Sequence, residues 1–411
     1  MRILWMKPVL PFPPTQGTRR VTLQLLQTLA PRHEIRLFTR LLDPGEREDA
    51  RRLEAVVPGL AVRAEVAPNR RSMAHRVYYR AATRIGAVGG VPPVEGYTAP
   101  RSLVEAFAEE ATRFDPELVV AEYWYASPYL DAVGDRPRVL FAHDVEYRVR
   151  EGAGDRTRER GRGGGYGALE TARERRALAG APFLWFLTEG DRNAAAQDLD
   201  IPRDRSAVMP YGMDLETRFP LRVDTDPPEP PATVLLFGSF AADFNRDALV
   251  FTLDAVWPEL RRLKPDARLV VAGGGLPAGL AERCRTAGAT VRGEVDDVRE
   301  VLLSATVILV PLRFGGGLRI RLLESLALGG TVVGTPVGVL GMGPGAEREV
   351  LVGETARELA GQAARAIEEP ALRRALGEAG RRWVAEHHGL PRSAARQLEL
   401  VDETAAYFRG R

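Results

Sequence analysis

The chain has 411 residues, 45% hydrophobic and 27% charged, and its 57 Lys and Arg against 55 Asp and Glu leave a net charge of +2. That length exceeds one ordinary core and argues for two domains of about 200 residues each, while the near-neutral balance offers a nucleic acid no bulk attraction. A single cysteine, Cys284, excludes an intramolecular disulfide framework and a cysteine-based zinc cluster.

The apolar part of the opening MRILWMK is too short for a signal peptide, and no run is long enough to span a bilayer. The chain therefore reads as cytoplasmic, with a peripheral membrane contact left open. Apolar, β-branched runs alternate with helical periods in both halves, the pattern of βα units and parallel sheets covered on both faces. The expected class is α/β, with two doubly wound, Rossmann-like domains.

In the first half, strands are expected at 2–6, 34–39, 118–123, 138–143, 183–187 and 207–210, and the first helix at 18–30. The loop PPTQGTRR leads into that helix. Gly17 with Thr18 either brings the backbone close to an anion or makes an ordinary turn and N-cap. Tyr123, Trp124 and Tyr125 follow a strand and read either as core or as a wall on which an acceptor stacks. His143 and Asp144 close the next strand, at the edge where open α/β sheets place functional side chains. His143 either hydrogen-bonds a substrate hydroxyl and assists a proton, or is structural; Glu146 is a weaker companion. Segment 152–167, GAGDRTRERGRGGGYG, is poor in apolar residues and reads as a mobile excursion that is solvated, covers a site, or meets an anionic acceptor or lipid.

Residues 220–232 are proline-rich and acidic, which suits an extended linker and hinge. They separate an expected N-terminal, acceptor-side domain at 1–219 from a C-terminal domain at 233–390, and a last helix in 391–411 is expected to pack back on the first domain. Two such domains facing each other would enclose a cleft. Strands in the second half are expected at 233–238, 267–272, 290–293, 307–311 and 331–334, followed by helices at 354–368, 371–387 and 393–408. Gly273, Gly274 and Gly275 lack the GxGxxG spacing, so a dinucleotide-dependent oxidoreductase is disfavoured.

The richest stretch is 306–343, TVILVPLRFGGGLRIRLLESLALGGTVVGTPVGVLGMG. It reads as strand, glycine triplet, helix, Gly-Gly turn and strand. Gly315, Gly316 and Gly317 let the backbone approach a ligand at a helix start, where free N–H groups and the macrodipole favour an anion. Arg319 and Arg321 are expected in the first helical turn, where cations are disfavoured without an anionic partner; a phosphate fits. Glu324, about 8 to 9 Å along the axis, lies at the span from a nucleotide diphosphate to its ribose hydroxyls. A surface helix with an exposed Arg–Glu pair is the plainer alternative.

The triplet with Arg319, Arg321, Glu324 and SLALGGTVVGTPVG resembles the C-terminal domain of retaining GT-B glycosyltransferases, the group 1 or family four type. PPTQG, AHDVEY, TEGDR, MPYGMD, FGSF and VAGGG follow in the order such chains show, so the resemblance covers nearly the whole sequence. It implies metal-independent transfer of a sugar from a nucleoside-diphosphate sugar, uridine diphosphate by family frequency, to an acceptor such as a glycan, a lipid-linked sugar or a natural product, with anomeric retention and no further cofactor. By the same resemblance Glu324 binds ribose hydroxyls, Arg319 and Arg321 meet the diphosphate, Gly315 to Leu318 lie against the transferred sugar, and Val295 flanks the base. Many relatives carry a glutamate where this chain has Gly316. It looks instead like the subgroup with a Gly-Gly-Gly-x-Arg-x-Lys/Arg motif, common among exopolysaccharide sugar transferases.

Retaining transfer without an enzymic nucleophile is described as front-face displacement, with the leaving diphosphate accepting the acceptor's proton. The protein then stabilises charge growing on phosphate and holds the acceptor, which makes Arg321 and His143 the catalytic candidates, Gly17 a second backbone contact for the donor, and Tyr123, Trp124, Asp144 and Glu146 acceptor-side candidates. The alternatives are a non-catalytic nucleotide-sugar-binding regulatory partner and a GT-B-fold sugar-nucleotide epimerase.

Overall fold

The computed structural model describes residues 1–66, 98–153, 165–219, 232–295, 297–342 and 348–410. All but the last residue of the linker expected at 220–232 and most of the excursion expected at 152–167 lie outside these residues. Two compact units emerge. One joins Met1–Tyr211 with Pro391–Arg411, and the other is Gly212–Leu390.

The first unit is built on a seven-stranded sheet of β1 (Arg2–Lys7), β2 (Glu34–Leu41), β3 (Leu60–Val66), β4 (Leu118–Glu122), β5 (Arg138–Ala142), β6 (Phe183–Phe186) and β7 (Ser206–Val208). Its order is β3-β2-β1-β4-β5-β6-β7 with every pair parallel. Strands buried on both faces read as continuous apolar runs rather than alternations, and Ile3, Leu4, Trp5 and Met6 of β1 are all fully buried. The order turns around between β1 and β4, which is where a doubly wound sheet opens a binding crevice at its carboxyl edge. Lys7 and Glu122 sit at that point.

The helix Gly17–Leu29 buries Val21, Leu25, Leu26 and Leu29, an i, i+4, i+5, i+8 stripe with the helical period. It starts one residue earlier than expected. Gln16, not Thr18, is its N-cap and makes no side-chain cap bond. The last helix, Leu390–Arg409, packs within this first unit. Gln397 exchanges amide hydrogen bonds with Gln24 at 2.9 and 3.0 Å, and Trp185 donates to Thr404 at 3.1 Å. Phe183 meets the Tyr407 ring edge-on at 4.9 Å.

The second unit carries a parallel six-stranded sheet of β8 (Thr233–Phe237), β9 (Arg268–Ala272), β10 (Thr290–Gly293), β11 (Val307–Val310), β12 (Val332–Gly334) and β13 (Leu351–Val352), in the order β10-β9-β8-β11-β12-β13. Here the order turns around between β8 and β11, so the loops after these two strands share the crevice. Both sheets are of the Rossmann-like kind. β3 and β13 were not expected from sequence: β3 is an edge strand whose LAVRAEV is interrupted by charges, and β13 has two residues. No helix among the described residues is long and apolar enough to cross a membrane.

Candidate functional site

In the second unit the loop after β11 carries Arg313, which grips Asp247 with two hydrogen bonds of 2.9 and 2.6 Å. The clamp fixes the entry to Gly315, Gly316, Gly317 and Leu318, all half-buried. Gly315 (φ 134) and Gly317 (φ 74) hold backbone conformations that side chains resist. A Cβ on Gly315 would come within 2.7 Å of the Arg319 Nη2, so the bare backbone leaves room for that guanidinium.

The site helix spans Ile320–Ala327, with Arg319 at its N-cap. Arg319 thus precedes the first turn in which it was expected, and only Arg321 lies inside it. Arg319 is 6% exposed and Glu324 2%, which rules out the surface helix with an exposed pair. The two guanidinium carbons lie 5.7 and 5.9 Å from the Phe244 ring. Arg321 donates to the Phe237 carbonyl at the end of β8 (3.0 Å) and to the Asn245 side-chain oxygen. Both acceptors are neutral. Burial and the neighbouring Arg319 charge push Arg321 down to about 9, with Glu324 partly offsetting them, so at neutral pH two adjacent cations remain charged beside a glycine loop. An anion placed there lowers their repulsion.

Close backbone approach shapes the rest of this crevice. A Cβ on Gly273 (φ 135) would come within 1.9 Å of the Gly238 carbonyl, and one on Gly238 within 2.8 Å of Arg321 Nη1. Gly273→Ala is expected to destabilise the second unit by at least about 1–3 kcal/mol, read as a lowered urea midpoint; a midpoint equal to wild type would contradict this packing. Val295 is half-buried just beyond β10. Arg246 is occupied by the Phe240 and Ala241 carbonyls and by Asp243.

In the first unit, the residues at the ends of β1, β4 and β5 form one buried polar cluster. The Glu122 carboxylate, 0% exposed, accepts from Trp5 Nε1 at 2.6 Å, Thr22 Oγ1 at 2.9 Å and Lys7 Nζ, and pairs with His143 Nε2 at 2.7 Å. Burial alone would raise Glu122, but the Lys7 and His143 charges outweigh it and bring the carboxyl to about 2. Burial lowers His143 against the pull of Glu122, so the imidazole is neutral at neutral pH. An ionised carboxylate only accepts, so Nε2 carries the ring proton and Nδ1 is a bare acceptor. Nδ1 is buried with no hydrogen-bond partner among the described residues, a state that costs about 1–3 kcal/mol.

Aromatic rings extend the cluster. Tyr123 stacks on His143 (centroids 4.6 Å, 18°) and Tyr125 on Tyr123 (5.1 Å, 8°), with Lys7 Nζ 5.0 Å from the Tyr123 centroid. The Tyr123 backbone has φ 73, strained for an aromatic residue. Burial and the Glu122 charge push its phenol well above the usual range, and Thr18, beside Gly17 at the helix start, partly offsets them. Trp124, 4% exposed, donates to Glu146 at 3.1 Å, while Asp144 is half-buried beyond β5. The structure therefore gathers His143 and Tyr123 on Lys7 and Glu122, and places Trp124 and Glu146 as a separate pair.

Lys7, Glu122, Asn245 and the Arg313–Asp247 clamp were missed by sequence reasoning. The signal for Lys7 and Glu122 was present: each is a charged residue ending an apolar strand, as His143 is. The cluster also predicts acid sensitivity. Glu122 falls from 4.5 unfolded to about 2 folded, so its stabilisation is complete above 4.5 and is lost as pH drops through about 2. The loss amounts to about 3 kcal/mol. His143, lowered from 6.5, adds a decline that begins below 6.5. Urea midpoints between pH 8 and pH 3 test this; a flat profile would contradict it.

Similarity to known proteins agrees with this layout. Residues 15–217 match the family model described as Glycosyltransferase Family 4, and residues 231–369 match Glycosyl transferases group 1. Among solved structures, sucrose-phosphate synthase from Thermosynechococcus elongatus is 19% identical with a TM-score of 0.69, covering 99% of each chain. HepE from Anabaena, solved with UDP and glucose, is 13% identical with a TM-score of 0.68, covering 98% of this chain and 99% of its own. WaaG, a glycosyltransferase involved in lipopolysaccharide biosynthesis, is 18% identical with a TM-score of 0.60, covering 97% and 99%. A search of curated proteins gives no match.

Proposed function

The two family matches together span most of the chain, which is therefore a group 1 glycosyltransferase of GT-B fold, and from that premise we propose that it moves a sugar from a nucleoside diphosphate to an acceptor hydroxyl with retention of configuration. One observation carries the reading: Arg319 and Arg321 lie side by side where a glycine loop meets a helix start, at the turnaround of the second sheet, with Glu324 buried one turn further on. Two adjacent cations suit a diphosphate, and with the helix starting at Ile320 the buried Glu324 carboxylate, about 6 Å along the axis rather than the 8 to 9 Å expected, suits a pair of ribose hydroxyls. HepE has been solved with UDP and with UDP-glucose, which favours a uridine donor here.

In this reading the guanidinium groups stabilise charge as it accumulates on the departing diphosphate. Gly315 to Leu318 present backbone N–H groups to the transferred sugar, Gly17 offers a further backbone contact to the donor, and Val295 flanks the base. His143 accepts a hydrogen bond from a sugar hydroxyl, and Tyr123, Trp124, Asp144 and Glu146 serve the acceptor. The test is to incubate the full chain with uridine, guanosine and thymidine diphosphate sugars, following melting temperature and nucleotide release without acceptor. At least one donor should raise the melting temperature and be cleaved slowly. If none of them binds or is cleaved, the reading fails; binding without cleavage would instead indicate a non-catalytic sugar-nucleotide binder, and interconversion without release an epimerase.

A further inference from the structure

The first unit holds a buried ion pair that the transfer chemistry described above does not use. Lys7, 1% exposed, and Glu122, 0% exposed, terminate neighbouring parallel strands at the turnaround of the sheet. A buried ion pair is weak evidence for stability by itself, since well-packed apolar residues in its place are often as stable. Its geometry here is directed at one ring. Glu122 accepts a hydrogen bond from His143 Nε2–H at 2.7 Å while Trp5 at 2.6 Å, Thr22 at 2.9 Å and Lys7 fill its other lone pairs, so the carboxylate has little freedom to turn away. Tyr123 and Phe141 hold the ring with centroids at 4.6 Å each. The ring's remaining polar atom, Nδ1, is buried and makes no hydrogen bond among the described residues.

We propose that Lys7 and Glu122 are positioning residues for the transfer site: they keep His143 neutral, protonated on Nε2 and bare at Nδ1, so that Nδ1 accepts a hydrogen bond from a hydroxyl of the bound sugar substrate. This rests on the proposed transferase reading for the identity of that hydroxyl, and on this unit's own geometry for the state of the ring. Lys7 has a specific part. Its charge opposes protonation of His143 and competes for the same carboxylate, so without it Glu122 has one basic neighbour left and draws a second proton onto the imidazole. Among the described residues, the charged groups that act on the ring are Glu122 and Lys7, and the titratable phenol of Tyr123 stacks on it.

The test is the ¹⁵N spectrum of the histidine rings of the full-length chain, with the His143 signal identified by its loss in His143→Gln. In the wild type at pH 7.5, His143 is expected as the neutral Nε2–H tautomer titrating below 6.5. In Lys7→Met the ring should titrate above 6.5 and carry a proton on Nδ1 below that midpoint, donor turnover should fall in step with the charged fraction, at least tenfold one pH unit below the midpoint, with little change in donor KM, and Lys7→Arg should recover most of both. An Nδ1–H tautomer or a charged ring in the wild type overturns the proposal whether or not any variant folds. So does a Lys7→Met enzyme with the raised titration and undiminished turnover. If the wild type neither binds nor cleaves any nucleoside-diphosphate sugar, the transferase reading fails on that ground, while the ring spectrum still decides whether Lys7 and Glu122 set the tautomer.

Discussion

Replacing Arg321 with alanine is expected to lower donor kcat/KM by about 100- to 1,000-fold, the effect of deleting one preorganised donor to developing negative charge. The side chain is held by two neutral acceptors, the Phe237 carbonyl and the Asn245 amide oxygen. Its positive charge is therefore not cancelled by a carboxylate hydrogen bond at those contacts. Arg321→Lys keeps the charge but loses the planar fork that reaches both acceptors, and it should fall between wild type and alanine. Steady-state kinetics beside a urea melt separate the two roles, because Arg321→Ala also leaves Asn245 and the end of β8 short of a donor. Unchanged turnover in a folded Arg321→Ala would remove this residue from the site.

The largest stability effect is expected at Glu122. Glu122→Ala leaves the Lys7 ammonium buried without a counter-charge and should cost about 3–5 kcal/mol, seen as a melting temperature lower by roughly 10 °C. The double variant Lys7→Met with Glu122→Leu removes both charges and should recover most of that loss, since an apolar pair of similar volume avoids the desolvation penalty. Calorimetry of the wild type, the single variant and the double variant tests this. A single variant within about 1 kcal/mol of wild type, or a double variant no better than the single, would show that the pair is not the electrostatic unit described here.

Much of this was legible because parallel strands covered on both faces must be continuous apolar runs. Arg2–Lys7, Glu34–Leu41, Thr233–Phe237 and Val307–Val310 all stand within two residues of where those runs end. The Gly-Gly-Gly loop and the carboxylate at Glu324 could be placed from spacing alone, since a helix start and a 1.5 Å rise per residue are local properties. β3 escaped because an edge strand need not be apolar on both faces, and its Arg63 pairs with both Glu65 and Glu110. Lys7, Glu122 and His143 each end an apolar strand, a local signal, but their meeting was not legible: they are 115 and 21 residues apart and come together only through the strand order β1-β4-β5, which no local pattern encodes. The same holds for Asn245 and Asp247, whose partners Arg321 and Arg313 lie 76 and 66 residues away. Arg319 was misplaced by one residue, as helix ends commonly are, yet that residue is the difference between a first-turn cation and an N-cap beside the glycine loop.

Titrating uridine diphosphate into the full chain and into Glu324→Ala, by calorimetry under identical conditions, tests the glycine-loop cradle most directly. Saturable binding by the wild type and at least a tenfold loss of affinity in the variant are expected, because Glu324 is buried on the site helix one turn beyond Arg321. Equal affinity in the two proteins would contradict the claim that the cradle holds the two ends of a nucleoside diphosphate.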